Sequence, residues 1–456
     1  MIDELEPAAT PAETVRFFQR ADWLSFGVAF GLALAVYGFT LAPEVTLEYS
    51  GIYSASAMYP GDSIPPGHPI WEIYGWLFIK LFPFSNIAWR LGISSAVAGA
   101  LASGLIALMV SRVGILVVEN IEHFHTIRER DQKSLRVVCG VVAGLGFALN
   151  GCFWPKAVVV DTWPLSVFLL TLNLCLLTRW FFRPDQRRYL WLTAFVLGLT
   201  LCESQALIPA GYALPFLVAL RHRGLGRDFF LGISVFLWGI VAAKSRWEKL
   251  GWSPAPSNWH LLIALIWLAT LMWLIQTLLT RRLFTEWKTT ILCAILFFLP
   301  FAADFLLPIF SLTDPVVNWG YPRTVEGFFH SMSRGQFASL DATDSLAHPV
   351  GQLVLYLGIA NKEFGLFYLL AAALPFVLAH KCGALARRWL FGLLWAWGCI
   401  TFLMLAVLDL SPDRSVVEGS KSYFAAAYVI LSIFAGCGLM LVGIYYARPV
   451  AKSSRD

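Results

Sequence analysis

About twelve stretches of this sequence are apolar for long enough to cross a lipid bilayer, and that property constrains the fold more than any other. A spanning helix needs about 20 mostly apolar residues, each rising about 1.5 Å. The stretches lie roughly at 22–42, 88–113, 136–153, 163–182, 189–205, 206–220, 228–245, 258–280, 289–310, 363–379, 389–409 and 423–446. The two short ones within 189–220 are divided only by Glu203, Ser204 and Gln205. The expected fold class is an all-α polytopic membrane protein. Charge content agrees: 14% of residues are charged, against about 25% in soluble domains. The 19 Trp and 35 Phe suit a chain with two membrane interfaces to line.

Several classes fall away at once. The net charge of +5 comes from Lys and Arg in loops and implies no nucleic-acid partner. The eight cysteines (139, 152, 175, 202, 293, 382, 399 and 437) lie mostly in apolar runs without a C-x-x-C pair, so they read as small core residues. The polar, acidic start MIDELEPAATPAETVRFFQRAD lacks the basic and apolar regions of a cleavable signal, so the first span is expected to stay.

Orientation follows from Lys and Arg, which favour the cytoplasmic side. One side collects Arg128, Arg130, Lys133, Arg136, Arg179, Arg183, Arg187, Arg188, Arg221, Arg223, Arg227, Arg281, Arg282, Lys381, Arg387, Arg388, Arg448, Lys452 and Arg455. An even number of spans then places both termini in the cytoplasm: a segment over 1–21, a transmembrane domain over 22–446 and a tail over 447–456. Two long connections, about 43–87 and 311–362, face outward. Connections of that length in a compact bundle tend to carry function. No internal repeat is visible, which argues against a secondary transporter.

In the first connection, TLEYSGIYSASAMYPGDSIPPGHPIWEIYGWL, the Pro65-Pro66-Gly67-His68-Pro69 run cannot be helical. Pro69 can open a helix. From Ile70 the apolar residues Ile73, Tyr74, Leu77, Phe78 and Leu81 recur at helical spacing. Trp71 and Trp76 suit a helix in the headgroup layer. Glu48, just past the first span, is either a solvated interfacial carboxylate or a general base beside a lipid-borne substrate.

Three blocks in order resemble a known family: LAPEVTLEYSG…PPGHPIW…FPFSNIAWR, then WPKAVVVDTW from Trp154, then NWGYPRTVEGFFHSMSRGQF from Asn318. They are similar to the membrane glycosyltransferases of GT-C architecture, specifically the protein O-mannosyltransferase-like glycosyltransferase family 117. This chain departs from the family's first-loop pattern. Tyr49 stands at the family's Asp, Ile52 at its Glu, Ile64 at its His and His68 at its Tyr, while Glu48 lies one place upstream of the Asp.

The resemblance implies a GT-C-like bundle whose enzyme moves a sugar, a hexose such as mannose, from a polyprenyl-phosphate carrier to an acceptor hydroxyl with inversion. The acceptor would be a lipid, a glycan or a protein. Such chemistry needs a carboxylate base, worth roughly 10²–10⁴-fold in rate, groups that stabilise the departing phosphate and an apolar groove. Glu48 is the first candidate base and Asp62 the next. Asp161 is a second acid, a sugar-hydroxyl acceptor or an ordinary helix N-terminal carboxylate. Arg323, His330, Arg334 and Lys156 are expected at the phosphate, an Arg fork matching its oxygens; the bland reading is solvated loop charge. His68, Asn318 and Trp319 complete the expected substrate contacts. Glu203 and Asp304 border apolar runs, where an ionised group is costly and therefore a functional candidate; the family tends to have a His near position 204, where this chain has Ser204. The chemistry requires no cofactor. A divalent metal would be compatible with it, but no ligand spacing is present, His123 and His125 being two apart. The rival readings are a transporter or lipid flippase, and a GT-C-like assembly protein whose site has decayed. The setting implied is a bacterial inner membrane.

Overall fold

The structure, a computed structural model, describes residues 16–47, 49–61, 63–64, 67–249, 259–332, 347–408 and 421–447. Among them the regular elements are helices, with no strand. The chain runs back and forth between two ends of one bundle. One end carries the long connections and is called here the loop end; the other is the far end.

Helix α1 (Arg20–Phe39) starts at the far end on a capping box in which Gln19 and Asp22 satisfy each other's backbone N–H. The first long connection holds α2 (Ser50–Met58) and α3 (Pro69–Leu81). Helix α4 (Ile87–Val118) begins on Asn86, whose side chain accepts the Trp89 N–H and donates to Pro43 O at 2.8 Å. It is the central pillar, buried along most of its length. Then come α5 (Glu129–Ala148), α6 (Trp163–Phe182), α7 (Arg188–Glu203) and α8 (Ile208–Arg221). The break between α7 and α8 is local: Ser204 is extended, a short 3-10 turn follows, and Pro209 opens the next helix. Helices α9 (Arg223–Lys249), α10 (Trp259–Thr280) and α11 (Trp287–Phe298) pack at one side. Pro300 turns α11 into a 3-10 segment that carries Asp304. Last are α12 (Ala347–Phe364), α13 (Leu366–Val377), α14 (Ala384–Leu408) and α15 (Ala425–Tyr446).

Among the described residues, seven helices are long and apolar enough to cross a membrane, or eight if one bent pair is a single span. That bent pair is α12–α13, turned by 112° at Gly365, whose φ of +76° lies in the region glycine favours. The expected count of about twelve is not established by this measure. The stretches at 136–153, 189–205, 206–220 and 389–409 form helices that are not among these, although they run between the same two ends.

Packing follows the membrane mode, in which small residues let backbones approach. A Cβ on Gly438 of α15 would fall on the carbonyl of Ala371 in α13. A second, smaller apolar cluster under the first connection joins Tyr53, Ala57, Trp71, Ile79, Leu91, Val160 and Leu165. The expected helix from Ile70 is present, but only Trp76 behaves as an interfacial residue, half exposed beneath Lys80. Trp71 is buried against Tyr53, so α3 is clamped onto the bundle.

Candidate functional site

The first connection is stapled to the segment 154–158. Trp154 Nε1 donates to Thr40 Oγ1 at 3.1 Å, and the Ala42 N–H donates to Val158 O at 2.9 Å. Pro155 sits in a single helical turn, Trp154–Ala157, after which the chain bends toward α6. That bend presents Lys156 and Asp161 to each other at 3.3 Å, with only 20% and 15% of their side chains exposed. Asp161 Oδ1 also accepts the Trp163 N–H at 2.8 Å, capping the first turn of α6. The Ser95 hydroxyl donates to the Asp161 carbonyl at 3.2 Å and fixes the bend to α4.

A second pair lies on the other flank of Tyr53. His68 precedes Pro69 at the start of α3, and its Nδ1 is 2.9 Å from the Glu203 carbonyl oxygen and 3.2 Å from Glu203 Oε1. The other carboxylate oxygen of Glu203 accepts the Trp71 N–H at 2.9 Å. Glu203 is the last residue of α7 and fully buried, while 15% of the His68 side chain remains exposed. Burial pulls the His68 pKa down, but the hydrogen bond and charge of Glu203, with a smaller contribution from Asp161, more than offset it, so the pKa lies above the usual histidine value.

Tyr53 joins the pairs. Its ring meets the His68 ring edge-on at 5.8 Å, and its hydroxyl hydrogen-bonds Thr162. Burial, followed by the nearby Asp161 charge, pushes the phenol pKa up; Tyr423 and Glu203 add to this. Tyr423 stands against Trp163 with ring centroids 5.4 Å apart. Next to Glu203, Cys202 Sγ lies 3.4 Å from Asp304 Oδ1.

The second connection closes over this region. Gln205 Nε2 donates to Met332 O at 3.2 Å, and Gly61 of the first connection touches the Val317 carbonyl. Asn318 Oδ1 accepts the Ser311 hydroxyl at 2.8 Å, which anchors the Asn-Trp-Gly turn. Gly320 and Tyr321 both have positive φ. Trp319 is exposed. Arg323 is paired with Asp314 at 2.7 Å and lies over the Tyr321 ring, so its charge is used within its own loop. His330 is exposed on the short helix Val325–Met332.

The structure thus brings together Lys156, Asp161 and His68 of the expected residues, and it adds Glu203 as a full member. Arg323, Asn318, Trp319 and His330 stand in the adjoining loop. Glu48, Asp62 and Arg334 lie outside the described residues. Tyr53 was missed because an aromatic residue in YSGIYSASAMY carries no sequence sign of what it will touch. Among the described residues, no group of three or more His, Cys, Asp or Glu side chains is arranged to hold a metal ion.

A helical bundle of apolar helices, with paired charges under two long connections at one end, defines a multi-pass membrane protein with a polar site at one face. Residues 50–224 match the family model described as the protein O-mannosyl-transferase TMEM260 N-terminal domain, a range that holds Tyr53, His68, Lys156, Asp161 and Glu203. Among known proteins, the chain is similar to mouse protein O-mannosyl-transferase TMEM260, with 23% identity over 182 residues, covering 39% of this chain and 23% of that relative's length. The resemblance read from the sequence is therefore borne out, while the chain spans less than a quarter of that relative. Among solved structures, the Archaeoglobus fulgidus oligosaccharyltransferase, crystallised with Zn and sulfate, overlaps 94% of this chain and 54% of its own, with a TM-score of 0.40 and 13% identity.

Proposed function

We propose that the chain is a membrane glycosyltransferase of GT-C type, moving a hexosyl group, mannose first among candidates, from a polyprenyl-phosphate donor to an acceptor hydroxyl. The observation that carries this reading is that the Lys156–Asp161 and His68–Glu203 pairs flank one tyrosine under the long connections, inside the range matched by the O-mannosyl-transferase domain. Inverting transfer asks for one group that takes the acceptor's proton and others that receive the phosphate. Asp161 accepts from Lys156 and the Trp163 N–H; it suits the orientation of a sugar hydroxyl and of Lys156. The base in this reading is Glu48, with Asp62 as the second choice. Lys156, His68, His330 and Arg334 serve the phosphate and its sugar, Arg323 steadies its loop through Asp314, and Asn318 and Trp319 shape the loop above them. The acceptor is a hydroxyl of a lipid, a glycan or a protein. The excess of Lys and Arg at the far end supports cytoplasmic termini with the site facing away from the cytoplasm, which in a bacterial inner membrane is the periplasm.

The test is transfer from polyprenyl-phosphate mannose by the protein in lipid nanodiscs. Wild-type turnover that Glu48→Gln lowers by roughly 10²-fold or more supports the reading. Turnover unchanged by Glu48→Gln moves the base elsewhere, and absence of transfer from any polyprenyl-phosphate hexose removes the proposal.

A further inference from the structure

The His68–Glu203 pair has a chemical polarity that general phosphate binding does not require. Both groups facing Nδ1 are acceptors: the Glu203 carbonyl oxygen at 2.9 Å and its Oε1 at 3.2 Å. Nδ1 must therefore carry a hydrogen in either charge state of the ring, and titration takes place at Nε2. Among the described residues Nε2 has no hydrogen-bond partner, and the ring keeps some exposure beside Tyr53. Glu203 is itself held, because its second oxygen takes the Trp71 N–H and its backbone ends α7. A buried carboxylate, held at one oxygen by the Trp71 N–H and facing the ring with the other at 3.2 Å, acts with its own backbone carbonyl to set the tautomer, orientation and charge of one imidazole at the mouth of the bundle.

We propose that His68 is the hydrogen donor to the departing phosphate, acting through Nε2–H, and that Glu203 is its positioning residue. This assignment rests on the glycosyl-transfer reading. In the step, the anomeric C–O bond to phosphate breaks and its electron pair goes to the phosphate oxygen, which takes the proton from Nε2. The acceptor oxygen forms the new bond to the anomeric carbon, and its proton goes to the carboxylate base. Solvent then reprotonates His68 and takes the proton from the base. The charged and titratable groups facing the ring are Glu203 from α7, Asp161 with Lys156 from the turn before α6, and Tyr53 from α2. The acids favour the imidazolium that the step uses.

The test compares wild type, Glu203→Gln and His68→Gln in nanodiscs. Glu203→Gln keeps an oxygen for the Trp71 N–H. It removes the charge and turns an amide NH2 toward Nδ1, which keeps the Glu203 backbone carbonyl as its acceptor. Diethyl pyrocarbonate acylates the neutral imidazole, and peptide mass spectrometry reads its rate at His68 across the histidine titration range. The midpoint in Glu203→Gln is expected about 1–3 pH units below wild type, as loss of an adjacent charge predicts. The alkaline limb of transfer from polyprenyl-phosphate mannose moves down with it, and His68→Gln loses both the limb and roughly 10²-fold or more in rate. Equal labelling midpoints in wild type and Glu203→Gln overturn the role of Glu203. A limb that persists in His68→Gln overturns the donor role while leaving glycosyl transfer standing. No transfer by wild type at any pH overturns the transfer reading and the donor role with it, whereas the labelling still decides whether Glu203 governs the ring.

Discussion

If Lys156 and Asp161 act as one unit, the cost of losing both should be close to the cost of losing either. At 3.3 Å, two unit charges attract by about 5 kcal/mol at the effective dielectric of about 20 that suits protein sites. Both side chains are mostly withdrawn from water, and desolvation and residual solvent offset roughly half of that attraction. The remaining 2–3 kcal/mol, at about 1.36 kcal/mol per factor of ten, predicts a loss of roughly 10²-fold in kcat/KM for Asp161→Asn, with a similar loss for Lys156→Gln. Asp161→Asn keeps the oxygen that caps α6 but strands Lys156, so the unfolding midpoint also falls and rates are compared well below it. The double variant should stay near the 10²-fold loss, because removing the second charge relieves the one stranded by the first. Initial rates of transfer from polyprenyl-phosphate mannose, with kcat and KM separated, provide the cycle. A double variant that falls by the product, about 10⁴-fold, would show two independent contributions and refute the argument from pairing.

Three further outcomes follow from the geometry. Asp22→Asn strands Arg136, now 2.7 Å from a fully buried carboxylate, and should cost about 3–5 kcal/mol; a melting temperature in detergent equal to that of wild type would contradict it, and transfer measured well below the melt should be unchanged. Gly438→Ala forces α13 and α15 apart at Ala371 O and should destabilise by about 1–3 kcal/mol, read as a lower unfolding midpoint. The His68 pKa is raised in the folded state, so the stabilisation it gives the first connection is complete below the unfolded value of about 6.5 and is lost as pH rises through the folded value. Amide exchange over 67–81, corrected for intrinsic rates, should therefore show falling protection on the alkaline side, and flat protection would refute it.

Much of this architecture can be read from apolar run length. The stretches at 22–42, 88–113 and 163–182 return as α1, α4 and α6 because a long apolar segment has few ways to satisfy its backbone other than a helix. Pro69 opens α3 because a proline nitrogen has no hydrogen to lose at N1. Run length is silent on the site. His68 and Glu203 are 135 positions apart in sequence and meet only because α7 ends where α3 begins. Glu203 shows in the sequence as an acid between apolar runs, which signals cost but names no partner. Trp71 and Trp76 look alike as letters, yet helical phase buries one and exposes the other. Arg323 has the fork that phosphate favours, and only the fold reveals Asp314 already occupying it.

The distribution of buried charge is what separates support from chemistry in this molecule. At the far end, Arg227 reaches Asp228, Thr280, Thr285 and the Arg282 carbonyl, while Asp228 accepts two backbone N–H groups; both side chains are fully buried. Asp22 there accepts from Arg136, the Ser111 hydroxyl and the Gln19 N–H. Such charges have little left to offer a ligand, and their role is to fix helix ends, a role in which removing one partner is costly. At the loop end the pairs are partly open. Lys156, Asp161 and His68 each keep a fraction of exposed surface, and the imidazole keeps Nε2 without a partner among the described residues. A bundle that needed only rigidity there could close these pairs as it closes those at the other end. Charges stabilised on one side and open on the other, beneath two connections that touch each other, are what a site needs if it is to exchange a proton and hold an anion without losing its shape.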